Sequence, residues 1–294
     1  MFVHLNGRLV PADQARVSVF DGGYTAGDGV YTTLRLYAGR PLDLPAHWAR
    51  LARQTAALEI PFPLDEAGLR RAVAELAERN GLTDGDGRLR ITVSRGGSPD
   101  DPLPLTRLAA IPSTVVMTLV PVAPALAEWA ADGIPVVVLD DAYARGSFPH
   151  LKTLNGLAAV SALRRAAAAG CPEALLTGPD GRLLEGAVSN IFVVRDGRLA
   201  TPTVGDGFLA GRTRERILGL AAGLGLPAGE AVLRREDLAA AAEVFVVSSV
   251  REVLPVVRID TVPVGDGRPG PVTRRIQAAY RELIDRALVE DSGA

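Results

Sequence analysis

Of the 32 basic residues in this chain, 31 are arginine, and the single lysine is Lys152. Arginine replaces lysine in solvation and ion pairing but not as a nucleophile: the guanidinium stays protonated, whereas a buried ammonium can lose its proton and attack a carbonyl. Lys152 stands between a loop containing Pro149 and an alanine-rich segment of helical character, a setting from which a side chain can project into a cleft while the scaffold holds it. The alternative is a codon-driven loss of lysine that left one survivor on the surface. Downstream, Leu183 to Phe192 (LLEGAVSNIF) sets Glu185 beside a glycine just ahead of an apolar strand. A carboxylate there can pair with a ring nitrogen and keep it protonated, or it can simply cap a turn.

Anion chemistry has its own candidates. Gly207 to Arg214 (GFLAGRTR) is a glycine-bounded loop running into a helix, with Thr213 as the expected N-cap, and a helix N-terminus favours negative charge. The glycine spacing across Gly205, Gly207 and Gly211 fits neither the dinucleotide fingerprint nor the phosphate loop of nucleotide hydrolases. Ser248 and Ser249 follow the apolar run EVFVV and offer two hydroxyls at a strand end, where serine is otherwise an ordinary turn residue.

The elements that must position these groups can be read from periodicity. Residues 30–37 (VYTTLRLY) alternate as a strand does, and 45–60, opening on Pro45, carries Trp48, Leu51, Ala52, Ala56 and Leu58 at helical spacing. Asp65 caps a second expected helix that stops at Asn80-Gly81. Strands follow at 88–94 and 113–120. The proline-containing stretch 121–135 reads as an interdomain linker. Beyond it come a strand at 136–139, a polar loop at 140–151 and a helix at 155–169 closed by Gly170. Strands at 173–177, 191–195 and 243–248 and helices at 213–224 and 272–289 complete the reading. The organisation expected is a small N-terminal α/β domain over 1–120, the linker, and a large C-terminal domain over 136–294, in line with about 150 residues per domain.

Composition limits the partners. At 48% apolar and 22% charged residues the chain is an ordinary globular one, and its net charge of −2 gives no footprint for nucleic acid. No stretch approaches the ~20 apolar residues of a membrane span. The N-terminal MFVHLNGRLV lacks the pattern of a secretory signal, so the expected address is cytoplasmic. Cys171 is alone and His4, His47 and His150 are scattered, so neither a disulfide nor a metal site is expected. Small molecules are the expected partners.

Taken in order, FDGGYTAGDGVYTTLRLY, HWARL, LKTLNGLAAV, EALLTGPDGRLLEGAVSNIFVV, TPTVGDGFLAGRTR and EVFVVSSVREVLPV resemble the class IV (fold-type IV) aminotransferases. That group works with pyridoxal 5′-phosphate (PLP) and includes branched-chain and D-amino acid aminotransferases and aminodeoxychorismate lyase. The resemblance spans nearly the whole chain. It implies an α/β fold of two domains with the active site between them, and a homodimer whose partner contributes a nearby loop. It implies that Lys152 forms the aldimine and shuttles the proton between Cα and C4′, and that Glu185 binds the pyridine nitrogen. It gives the phosphate to Arg50 of HWARL, the backbone of Arg212, Thr213, Ser248 and Ser249, places Leu209 against one ring face, and sets Tyr31, Val250 and Arg251 along the substrate.

The sequence also departs from the group. Branched-chain enzymes carry tyrosine five residues after the lysine, where this chain has Leu157. The arginine and histidine with which D-amino acid enzymes hold a substrate carboxylate are replaced by Asp100 and Pro102. Arg251 is the alternative carboxylate ligand, or a surface arginine. The expected activity is amino transfer between an amino acid and a 2-oxo acid. The alternatives are release of pyruvate from aminodeoxychorismate and a PLP-free binding protein on the same fold.

Overall fold

The computed structural model describes residues 1–99, 111–140, 143, 146, 148–205 and 207–290, the last by its backbone only. These residues form two units. One is Met1–Val122 together with Leu151–Asn155; the other is Ala123–His150 together with the described residues from Gly156 to Glu290.

The first unit runs β1 (Phe2–Leu5), β2 (Arg8–Pro11), α1 (Gly22–Ala26), β3 (Gly29–Tyr37), β4 (Arg40–Pro41), α2 (Leu44–Ala57), α3 (Glu66–Arg79), β5 (Gly87–Ser94) and β6 (Thr114–Pro121). Its strands make an antiparallel sheet in the order β2-β1-β6-β5-β3-β4. Side chains alternate across a strand, and here the alternation separates two faces. Val30, Leu34, Leu36, Leu89, Ile91, Val93, Val115, Met117 and Leu119 are buried in one core with Leu44, Leu51, Leu69, Val73 and Leu76 of the two longer helices. Tyr31, Thr33, Arg90 and Thr92 occupy the other, less buried face. The helix limits follow local chemistry. Asp65 accepts from Gly68 N at 2.6 Å to start α3, and Gly81 takes φ +65° after it, a conformation that suits a residue without Cβ.

The segment Leu151–Asn155 closes on the edge of β3. Tyr31 N donates to Lys152 O at 2.9 Å and Leu154 N to Gly29 O at 3.0 Å, with Thr153 bridged to Val30. Gly29 permits this approach, because a Cβ there would lie 2.7 Å from Val93 O and 2.8 Å from Leu154 Cδ1.

The second unit contains α4 (Ala125–Asp132), β7 (Ile134–Leu139), α5 (Leu157–Ala168), β8 (Glu173–Thr177), β9 (Leu183–Gly186), β10 (Asn190–Arg195), β11 (Arg198–Pro202), α6 (Arg212–Gly223), β12 (Ala228–Ala231), α7 (Arg235–Ala239), β13 (Glu243–Ser248), β14 (Glu252–Ile259), β15 (Val262–Pro263) and α8 (Pro271–Glu290). Its mixed sheet has the order β12-β11-β10-β13-β14-β7-β8-β9, with β15 on β14. Central strands such as VFVV of β13 and IFVV of β10 are apolar without alternation because both faces are buried. Phe192 and Phe245 stack between them at 5.0 Å.

Three expectations change. The stretch 121–135 contains the crossing from one unit to the other, between Val122 and Ala123, and also a helix the sequence did not suggest: between Pro124 and Gly133 it forms α4, whose alanines and Leu126 favour a helix between its bounding breakers. Thr213 is not the N-cap of α6; Gly211 is, and Thr213 lies in the first turn. No single cut in the sequence separates the units, since Leu151–Asn155 joins the first. Asp100, Pro102 and much of the loop 140–151 lie outside the described residues.

Candidate functional site

Lys152 is half-buried in the first unit, its carbonyl held by β3 as above. Its Nζ lies 4.7 Å from the centroid of the Tyr31 ring. The guanidinium carbon of Arg90 lies 3.6 Å from the same centroid, a cation–π distance. The sheet register explains this grouping. Tyr31 opposes Thr92 and Thr33 opposes Arg90, so all four side chains share one face, and Arg90 Nε also donates to Thr92 Oγ1 at 3.3 Å. Burial pulls the Arg90 pKa down while Tyr31 pulls it up; a guanidinium stays charged under either influence. Arg90 escaped sequence reading because RLRITVS offers two alternating arginines, and only strand pairing puts one of them beside Tyr31.

Arg50 occupies the buried face of α2, 7% exposed. Its Nη2 donates to Thr32 Oγ1 at 2.6 Å, and Thr32 Oγ1 lies 2.6 Å from His47 Nδ1.

In the second unit Glu185 sits within β9, opposite Leu176 on β8 and almost fully buried. It is a strand carboxylate rather than a turn cap. The following turn closes through Gly186 N to Ser189 O at 2.8 Å and leads into Asn190, the first residue of β10. The Asn190 amide clamps the next candidate loop: Nδ2 donates to Leu209 O at 2.9 Å, and Oδ1 accepts from Gly211 N at 3.1 Å. A Cβ on Gly211 would fall 2.2 Å from Asn190 Oδ1, so glycine is required there. Asn190 also pairs with Val247, which sets Ser248 and Ser249 at that same end of the sheet. Asn190 thus ties down Leu209 and Gly211, which Arg212 and Thr213 follow in the chain, and it pairs with the residue that precedes the two serines. Sequence reading missed that amide because an Asn before an apolar strand looks like a turn residue.

The start of α6 suits an anion. Its N-cap glycine supplies no side-chain acceptor to the first-turn N–H groups, and Arg212 Nε is buried with no hydrogen-bond partner among the described residues. Arg214 secures the helix through Glu230 at 2.8 Å and Pro202 O at 2.8 Å.

Arg251 calls for a correction. Its Nη1 donates to the buried Glu173 at 3.0 Å and its Nη2 reaches Pro172 O at 3.4 Å, with the guanidinium 5.7 Å from the Trp129 ring centroid. It is not a surface arginine: its guanidinium is engaged with the buried Glu173 side chain and the Pro172 carbonyl. Val250 lies beside it in the turn from β13 to β14, half-buried. Leu157 opens α5 at 76% exposure.

Comparison of folds supplies the class. The chain superposes on the branched-chain amino acid aminotransferase of Escherichia coli with a TM-score of 0.87 and 30% identity, covering 96% of this chain and 94% of that one; it has the α/β fold of the fold-type IV enzymes. Within that class it belongs to the class IV amino-transferase family, whose model matches residues 29–259. It is 33% identical over 293 residues to a putative branched-chain-amino-acid aminotransferase of Methanocaldococcus jannaschii, covering 96% of each chain. It is 34% identical over 284 residues to the D-alanine aminotransferase of Bacillus licheniformis, covering 97% of each.

Class IV aminotransferases are PLP-dependent enzymes, and the residues of this chain fit that cofactor. The orphaned Arg212 Nε at an uncapped helix start suits a phosphate, the half-buried Lys152 amine suits an aldehyde, and the enclosed Glu185 carboxylate suits a protonated ring nitrogen. No helix among the described residues is long and apolar enough to cross a membrane.

Proposed function

We propose that this aminotransferase moves an amino group between an amino acid of the D-alanine or branched-chain type and a 2-oxo acid, with Lys152 as the proton-transferring residue. The observation that carries the reading is the position of the one lysine, held by backbone hydrogen bonds to β3 with its amine 4.7 Å from the Tyr31 ring. Bound PLP supplies a carbonyl that exchanges with the substrate amine and a conjugated ring that takes up the electron pair left at Cα. With the cofactor bound, the Lys152 amine would hold its carbonyl carbon and, once displaced by the substrate amine, would carry the proton from the substrate Cα to that carbon. Glu185 keeps the ring nitrogen protonated. Arg50, the Arg212 backbone N–H, Thr213, Ser248 and Ser249 bind the phosphate, and Leu209 packs on the ring. Tyr31 and Val250 line the substrate. Its carboxylate goes to Arg90, in the role the sequence offered to Arg251, because Arg90 is the guanidinium seated on the ring that Lys152 also approaches. The branched-chain and D-alanine relatives support the two substrate types equally.

The test is an absorbance scan of the purified enzyme during titration with D- and L-alanine, D- and L-glutamate, and L-leucine. Conversion of the cofactor to its amine form by at least one of them is expected. A flat response to all would overturn amino transfer and turn attention to pyruvate release. Borohydride treatment and peptide mapping should place the label at position 152.

A further inference from the structure

We propose that Thr32 and His47 are positioning residues for Arg50: the imidazole orients the hydroxyl, and the hydroxyl holds the guanidinium in the attitude that receives the cofactor phosphate. The proposal rests on reading Arg50 as a phosphate ligand. His47 and Arg50 lie three residues apart on α2, hence on one face of it, and both are buried, at 2% and 7% exposure. Thr32 is fully buried in a row of β3 that otherwise presents Val30, Leu34 and Leu36 to the core. A hydroxyl in such a row is costly unless it is hydrogen-bonded, and a valine would fill the same space without that requirement. Thr32 meets the requirement twice over, with Arg50 Nη2 and His47 Nδ1 each at 2.6 Å from its oxygen.

The chemistry of the three groups fixes the direction of the chain. A guanidinium N–H can only donate. Nη2 also lies 3.3 Å from His47 Nδ1, so that nitrogen is the acceptor of the ring and the imidazole proton sits on Nε2. The Thr32 hydroxyl therefore donates to Nδ1 and accepts Nη2–H on its own oxygen. A hydroxyl left alone can rotate; one committed to Nδ1 presents its lone pair to Nη2 in one direction. Arginine binds phosphate through a planar fork whose orientation decides how many of its N–H groups reach the oxygens. Fixing one Nη atom inside the core fixes that plane before the cofactor arrives.

Binding of PLP and of pyridoxal, which lacks the phosphate, to the cofactor-free full-length protein tests this directly. In Thr32→Val the affinity for PLP should fall about tenfold, the loss of roughly one charge-assisted hydrogen bond, while pyridoxal affinity stays within about twofold. His47→Ala should do the same, and Thr32→Ser should restore the wild-type ratio of the two affinities. Should Thr32→Val fail to fold, His47→Ala and Thr32→Ser carry the comparison. Equal losses for PLP and pyridoxal would mark a merely structural role and overturn the proposal. So would a wild-type ratio in both Thr32→Val and His47→Ala, or a ratio in Thr32→Ser as low as in Thr32→Val. Arg50→Gln separates the two levels. If it collapses the ratio while the Thr32 and His47 variants do not, only the positioning role fails; if it too leaves the ratio intact, Arg50 is not the phosphate ligand.

Discussion

Glu173 illustrates how a single buried charge organises the second unit. Its carboxylate accepts from Ser189 Oγ at 2.9 Å and Ala174 N at 3.0 Å and pairs with Arg251 at 3.0 Å. Burial pushes its pKa above the usual carboxylate range, against the opposing pulls of Arg251 and Ser189. The folded state therefore holds this proton more readily than the unfolded chain does. The stability tied to Glu173 is fully present below about pH 4.3, the ordinary glutamate value, and is lost as pH rises from there toward the folded value. Arg251→Met removes the counter-charge and should cost about 3–5 kcal/mol, with a larger cost at pH 8 than at pH 4 in urea unfolding. An unchanged midpoint at both pH values would show that the ion pair contributes nothing to stability. A second substitution separates the arginines by role. Arg90→Gln should raise KM for the amino acid roughly 10- to 100-fold, the worth of a hydrogen bond between charged groups, with little change in melting temperature. Steady-state kinetics showing an unaltered KM would exclude Arg90 as the carboxylate ligand.

At the scale of elements, the helices divide by where their caps come from. The limits of α3 were legible because Asp65 and Gly81 act on their own chain neighbours. The start of α8 was read to within one residue, but what caps it was not. Its Val272 N and Thr273 N donate at 2.9 and 2.7 Å to Glu243, the first residue of β13, and Thr273 Oγ1 donates to the same carboxylate at 2.7 Å. The carboxylate sits against Gly270, where a Cβ would lie 2.1 Å from Glu243 Cδ. Gly270→Ala should therefore displace the cap and cost about 1–2 kcal/mol, the range for losing an N-cap. A thermal melt followed by circular dichroism checks it, and a wild-type midpoint would mean that the glutamate side chain moves aside freely. The α6 start shows the reverse case. Thr213 looked like a cap from its residue type, yet Gly211 takes that place because the Asn190 amide presses against it.

At the scale of the whole molecule, covalent and packing connectivity differ. Lys152 is distant in sequence from Tyr31 and flanked on both sides by residues of the second unit, yet it packs with the first. Cofactor binding should stabilise the fold by mass action, by about 2.7 kcal/mol at a hundredfold excess over Kd. Lys152→Ala should show a much smaller rise in melting temperature at the same PLP concentration, since its link to the cofactor carbonyl is gone. Equal rises in both proteins would argue that Lys152 makes no such link.

The sequence by itself determined the groups available for chemistry and the periodic elements that carry them: one lysine among arginines, an acid before an apolar strand, a glycine-bounded loop before a helix. These are properties of residue type and near-neighbour spacing, where side-chain alternation, helical period and local capping act. Only the tertiary structure decided which distant groups meet. Strand register set Arg90 beside Tyr31, a buried carboxylate paired with Arg251, and a core hydroxyl joined His47 to Arg50. Hydrogen bonds and ion pairs of this kind act over a few ångströms of space, whatever number of residues lies between the partners.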